Sequence, residues 1–203
     1  MYKVITIGRQ FGSGGREFGR RLAEELGYEY YDKEIISEIA KNKGLDEEYV
    51  EKSQGILAIP LHFAKSFTFA YASTAKSEML VEEKRVIDEI AKKGRSFIIV
   101  GRNADILLKD YKPLNIFVCA DMESKIKRCL EKSTESEKPS VKEIEKQIAK
   151  IDKSRASARA ILSESKWGEG TNYHMTVNTT GYQIKEIVPV LVKLNELYFG
   201  EQK

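Results

Sequence analysis

Only two cysteines and two histidines occur in 203 residues, and neither sign of charge is in real excess. Cys119 and Cys129 have no partner at metal-ligand spacing, so a zinc module is excluded and both are taken as reduced thiols. His62 and His174 stand at neither metal nor triad spacing and are read as structural, and the lone Trp167 as packing. With 34 basic against 31 acidic residues, the net charge of +3 implies no polyanion surface unless a local cluster focuses it, so no nucleic-acid partner is expected. No apolar run approaches the roughly 18–20 residues of a bilayer span, so no membrane role is expected either. The opening Met1-Tyr-Lys-Val-Ile-Thr-Ile lacks the apolar core and cleavage site of a secretory signal, and the expected location is cytoplasmic.

What is present describes an ordinary globular chain. Hydrophobic residues make up 41% and charged residues 32%, enough for one substantial core within 1–203. Val4 to Gly8 is a β-branched run ending in glycine, and Phe18, Leu22, Ala23 and Leu26 then follow helical spacing up to Gly27. Ser96 to Val100 and Leu114 to Ala120 are further compact apolar runs, each followed by a helix-like stretch, as parallel strands buried on both faces would be. This alternation predicts a doubly wound α/β sheet.

Further helices are expected over 76–93, 122–132 and 184–199, the last interrupted or bent by Pro189. Val141, Ile144, Ile148 and Ile151 form an apolar stripe on a helix whose other side is cationic. Between Cys129 and Val141 the chain is polar and turn-prone, the composition of a hinge. Leu57 to Tyr71 is nearly uncharged and holds three phenylalanines, suited to buried packing, a ligand platform or an oligomer contact. The oligomeric state is left open.

The residues between the first strand and helix suit an anion. Gly8, Gly12, Gly14 and Gly15 give the backbone freedom to wrap a phosphate with N–H groups at a helix N-terminus, Ser13 adds a hydroxyl, and Arg9 and Arg16 add fixed charge. The alternative is a glycine-rich turn that only reverses the chain. The strand before, the helix after and the flanking arginines favour the cradle. At its lysine position, however, the loop departs from the usual nucleotide-binding motif.

Gly12-Ser-Gly-Gly-Arg-Glu and Leu22-Ala-Glu-Glu-Leu-Gly-Tyr-Glu-Tyr-Tyr-Asp-Lys33 resemble the start of the cytidylate kinase-like family, a divergent branch of the P-loop nucleoside monophosphate kinases. Phe97-Ile-Ile-Val-Gly-Arg-Asn-Ala-Asp105 is similar to that family's second conserved strand and Gly-Arg turn, and Asn115-Ile-Phe-Val-Cys-Ala-Asp to the strand before its lid. Asp152-Lys-Ser-Arg155, with Arg159 one turn on, resembles the lid's Asp-x-x-Arg element, and Trp167-Gly168 with Tyr173 to Asn178 the closing segment. The resemblance implies a three-layer P-loop NTPase fold with a five-stranded parallel sheet and a helical lid. It implies ATP with Mg²⁺ as donor and a pyrimidine monophosphate, CMP or dCMP, as acceptor. Residues 133–159 would be the lid and about 34–95 a helical acceptor-binding region.

Three departures bear on catalysis. Gly15 replaces the phosphate-binding lysine, Glu17 replaces the hydroxyl metal ligand, and Asn103 stands where cytidylate kinases have Gly-Arg-Asp. The metal ligands are therefore unassigned, with Glu17 a candidate. Phosphoryl transfer needs converging positive charge, and the candidates are Arg16, Arg102, Arg155 and Arg159, with Arg9, Gly12, Ser13, Gly14, Gly15 and Glu17 around the donor phosphates. Asp32, Lys33, Arg102, Asp105 and Asp152 are candidates for the acceptor, Asp32 being equally readable as a helix N-cap. A nucleotide sensor without transfer activity and a kinase for a non-nucleotide small molecule are the alternatives.

Overall fold

The computed structural model describes residues 2–32, 81, 84–133 and 139–200. Lys33, His62, the aromatic stretch Leu57 to Tyr71 and the middle of the expected hinge lie outside them. The chain divides into two compact units, Met1–Tyr31 with Arg95–Lys203, and Asp32–Gly94. Of the helix expected over 76–93, residues 81 and 84–92 are helical, with Val86, Ile87, Ile90 and Ala91 buried.

The larger unit is built on a five-stranded sheet. In chain order it runs β1 (Val4–Arg9), α1 (Gly15–Leu26), β2 (Glu29–Tyr31), β3 (Phe97–Val100), α3 (Ala104–Leu107), β4 (Leu114–Cys119), α4 (Met122–Glu131), α5 (Val141–Leu162), β5 (Met175–Asn178) and α6 (Ile184–Gly200), α2 being 84–92 of the other unit. The strands lie in the order β2-β3-β1-β4-β5, and every pairing is parallel. β1 is central because its Val-Ile-Thr-Ile run can be buried on both faces, as all four residues are.

One face of the sheet presents Ile5, Ile7, Ile98, Val100, Leu114, Ile116 and Val118 to Phe18 and Leu22 of α1 and Ile184, Val188 and Leu191 of α6. α1 lies close on the sheet because Gly19 has no side chain; a Cβ there would meet Val100 Cγ2 at 2.6 Å. The opposite face carries Phe117, which stacks edge-on with Trp167 at 5.3 Å and against Tyr173 at 4.9 Å. On that face too, the buried hydroxyl of Thr6 donates to Asn115 Oδ1 at 2.6 Å.

Two sequence expectations change. Pro189 does not interrupt the last helix, which is continuous over Ile184–Gly200. The proline removes one backbone donor near the N-terminal end, while Val188 and Leu191 on either side are buried against the sheet and hold the helix in place. The stripe on α5 is narrower than the periodicity implies, because Ile144 and Ile148 are buried while Val141 is exposed at the helix start. That start is fixed by a capping box: Ser140 Oγ accepts from the Glu143 N–H, and Glu143 Oε2 accepts from the Ser140 N–H at 2.8 Å.

Candidate active site

The loop Gln10 to Gly14 leaves the C-terminal end of the central strand, the edge at which open α/β sheets bind ligands. It is fastened on several sides. The Gln10 N–H donates to Val118 O at 2.9 Å, Ser13 Oγ donates to Gln10 O at 2.8 Å, and buried Thr179 donates its hydroxyl to Ser13 O at 2.8 Å. Gly12 and Gly14 have φ of 75° and 82°, and a Cβ at Gly14 would meet Ile184 Cδ1 at 2.6 Å. Gly14 caps α1 in the left-handed region with no side-chain acceptor. The first-turn N–H groups of α1 have no acceptor within their own helix, and the helix dipole adds partial positive charge there. Chain path and dipole together make a phosphate cradle.

The lysine position of this loop is closed to any side chain. A Cβ on Gly15 would lie 2.5 Å from Arg9 Cβ. Arg9 rises from the end of β1 across this space, and its guanidinium lies on Gly101, where a Cβ would fall 1.5 Å from Nη1. Gly15 is therefore not a vacant lysine site, because an arginine from the preceding strand fills it.

Arg9 has company. Burial, with the charges of Arg155, Arg102 and Arg16 around it, pushes its pKa well down from the ordinary value. An arginine keeps its proton, so this crowding is an electrostatic cost of the site as it stands, and a bound anion would relieve it. The four guanidinium groups come from β1, α1, the turn after β3 and α5, and the other three are near enough for their charge to act on Arg9, Arg155 through a bond to Arg9 O.

α5 is tied directly to the loop backbone. Asp152 Oδ1 accepts the Phe11 N–H at 2.8 Å and Arg155 Nη1 at 3.0 Å, and Arg155 Nη1 also donates to Arg9 O at 2.9 Å. The Arg155 guanidinium sits 5.9 Å over the Phe11 ring. Burial pushes the Asp152 carboxyl up, against the opposing pull of the Phe11 N–H and of Arg155. Asp152 thus faces the loop, and the described part of the expected lid is docked on it.

The turn after β3 is strained. Gly101, Arg102 and Asn103 are successive left-handed residues, with φ of 83°, 61° and 50°. The glycine adopts this region freely and asparagine readily, so the cost of about 1–2 kcal/mol falls on Arg102. The turn sets Arg102 beside Arg9, and strain of this kind clusters at functional sites.

The remaining candidates are engaged differently. Arg159 is buried and donates to Asp105 Oδ2 at 2.6 Å and through Nε to Ser165 Oγ at 3.0 Å, with its guanidinium 5.7 Å over the Tyr173 ring. Asp105 and Arg159 thus pair with one another. Glu17 Oε1 accepts from Arg21 Nε at 2.8 Å, one turn along α1. Asp32 is buried and belongs to the other unit. Among the described residues, no three of His, Cys, Asp and Glu cluster where they could hold a metal ion. No described helix is long and apolar enough to cross a membrane.

Several loop partners carry little signal in sequence. Gln10, whose Oε1 accepts from Ala120 N and Lys125 Nζ, is one polar residue among many. Arg128 donates through Nη2 to Thr179 O at 2.7 Å and Tyr182 O at 3.2 Å, tying α4 to the turn after β5. Thr179 could have been found from its place just past the last strand, since strand ends line such sites.

A parallel five-stranded sheet whose central strand runs through a glycine loop into a helix, with arginines gathered at that loop, is the architecture of a P-loop kinase. The chain belongs to the cytidylate kinase-like family, whose model matches residues 4–181. No curated protein matches the sequence. Among solved structures, an uncharacterized protein from Eubacterium ventriosum is 24% identical with a TM-score of 0.71, covering 96% of this chain and 98% of that one. Shikimate kinase from Bacteroides thetaiotaomicron is 14% identical with a TM-score of 0.57, covering 96% and 98%. A sugar kinase from Janibacter sp. is 14% identical with a TM-score of 0.53, covering 95% and 94%. At these identities the likeness is one of fold.

Proposed function

We propose that the protein transfers the γ-phosphoryl group of ATP to a nucleoside monophosphate, CMP or dCMP being the first acceptors to test. The observation that carries this reading is a glycine loop that opens a helix, with Arg9 packed against Gly15 and Gly101, Arg155 bonded to Arg9 O, and Arg16 and Arg102 near enough to act on the Arg9 charge. In-line phosphoryl transfer needs positioning and neutralisation of charge more than covalent chemistry, and four guanidinium groups at a cradle supply both.

In this reading the backbone of Gly12 to Arg16, with Ser13 and Arg9, holds the donor phosphates, and Arg155 answers the charge that develops in transfer. Arg102 and Lys33 are the candidates for the acceptor phosphate, Asp32 for the acceptor, and 34–95 is the candidate acceptor-binding region. Asp152 positions Arg155 and the loop rather than touching the acceptor, and Arg159 with Asp105 braces α5. The N–H groups at the start of α1 and the arginine charge are suited to phosphate oxygens, whereas the described residues offer no ready-made metal pocket. Mg²⁺ would arrive on the nucleotide, where it neutralises phosphate oxygens, and Glu17 is the carboxylate that would hold it. A substrate of this kind suits a cytoplasmic protein.

The test is ADP formation by the purified full chain with MgATP and a panel of nucleoside monophosphates, shikimate and simple sugars. Acceptor-dependent ADP with CMP or dCMP is expected, and none with any acceptor overturns the reading. A nucleotide-binding protein without transfer is the second reading, favoured by Ser13 Oγ being spent on Gln10 O and Glu17 Oε1 on Arg21. Calorimetry showing tight ATP binding without turnover would select it. Turnover with shikimate or a sugar alone would select a non-nucleotide acceptor.

A further inference from the structure

Lys125, on α4, is only 6% exposed. A buried ammonium needs several good partners, since it carries three donors and a full charge. Among the described residues its Nζ has a single hydrogen bond, a long one of 3.3 Å to Gln10 Oε1, a neutral oxygen that also accepts from Ala120 N. The carboxylate of Asp152 is near enough to feel its charge, but Oδ1 of that group already serves Phe11 and Arg155. A methionine would fill the same volume without the cost of burying a charge.

The position of this side chain is specific. Its stem lies against the loop at Gly12, where a Cβ would meet Lys125 O at 2.9 Å and Lys125 Cβ at 3.0 Å. Its head reaches the first loop residue, Gln10. The loop therefore has a lysine at its flank although its own lysine position holds Gly15, closed off by Arg9.

We propose that Lys125 is the displaced lysine of the phosphate loop: from α4 it contacts the phosphate chain of the donor, the contact that Gly15 cannot make. This rests on the donor reading given above. Gln10 holds the ammonium beside the loop when no phosphate is bound, and on binding the unused donors turn to phosphate oxygens. The lysine thus comes from the helix after β4 instead of from the helix that the loop opens.

Calorimetry with AMP, ADP, ATP and tripolyphosphate on the wild-type chain, Lys125→Met and Lys125→Arg tests this. Loss of a charge-assisted contact to the phosphate chain should weaken ATP and tripolyphosphate by about 10-fold or more, with AMP much less affected and Lys125→Arg recovering most of the loss. A lysine that only supports the fold would weaken all four ligands alike. An equal loss across the series, or none, overturns the proposal while leaving the donor reading intact. A wild-type chain that binds neither ATP nor tripolyphosphate overturns both. If Lys125→Met does not fold, the ε-ammonium resonance of Lys125 in the ¹⁵N-labelled wild-type protein decides: a shift on adding tripolyphosphate is expected, and an unmoved signal refutes the contact.

Discussion

Asp152 Oδ1 and the backbone N–H of Phe11, 141 residues apart in the chain, meet at 2.8 Å. The bond joins the middle of a long helix to the loop between the first strand and helix, so the two move as one body while it holds. Asp152→Ala leaves the Phe11 N–H without its acceptor and Arg155 without its carboxylate partner, with Arg9 O still accepting from Nη1, and should cost about 1–3 kcal/mol of stability. Asp152→Asn keeps an oxygen for Phe11 and should recover part of it. Denaturant unfolding of the three proteins measures this; an alanine variant as stable as wild type would show that the bond contributes nothing.

Putting the usual lysine back should do harm. Gly15→Lys places a Cβ 2.5 Å from Arg9 Cβ, so it should lower the melting temperature and weaken nucleotide binding. Removing the obstruction in the double variant Arg9→Gly, Gly15→Lys should recover part of the melting temperature, whereas Arg9→Ala, which keeps the clashing Cβ, should recover less. If Gly15→Lys alone is as stable as wild type and binds ATP more tightly, the loop has room that its geometry denies.

Arg159 and Asp105 are a buried pair, with side chains 4% and 11% exposed. Removing one partner strands a charge away from water and should cost about 3–5 kcal/mol. Asp105→Leu should therefore destabilise strongly, and adding Arg159→Met should recover a large part. Additive losses in this cycle would mean that the two charges are not coupled.

His174 gives a pH dependence whose sign is fixed. Its Nδ1 accepts the Asn115 N–H at 2.9 Å, and Nε2 lies 3.3 Å from the Tyr198 hydroxyl, an arrangement for the neutral ring. Burial pushes its pKa down. The unfolded chain thus takes up the proton first as pH falls. The contribution is full above the unfolded value of about 6.5 and is lost as pH drops toward the folded one. Between about pH 8 and pH 5, His174→Asn should lose less thermal stability than wild type. Parallel curves for the two proteins would refute it.

The sheet was readable because its signals are local. β-branched runs at Val4, Phe97 and Leu114 and the glycines between Gly12 and Gly15 announce themselves within a few residues. The site was less so, because its decisive relations join distant segments. Nothing around Gly15 says that Arg9, six positions earlier, fills its space; that depends on how sharply the loop folds back. Lys125 reads as a solvated lysine on a charged helix until Gly12 is seen packed against its stem. Arg159 belongs to the same helical pattern as Arg155, yet one turn further along α5 faces Asp105 and not the loop.

The place of β1 between β3 and β4 has a consequence for synthesis. Its first partner residue, Phe97 opposite Val4, emerges from the ribosome 93 residues later, since 97 minus 4 is 93. At translation speeds of about 5–20 residues per second, the central strand of the sheet waits about 5–20 seconds with both edges unpaired. During that interval the glycine loop has neither Val118 nor Thr179 to fasten it, so the anion cradle matures only as the last third of the chain is made. A nascent-chain series arrested before and after residue 118 should therefore pass from protease-sensitive to protected at β1, with the earlier chains the natural clients of a chaperone.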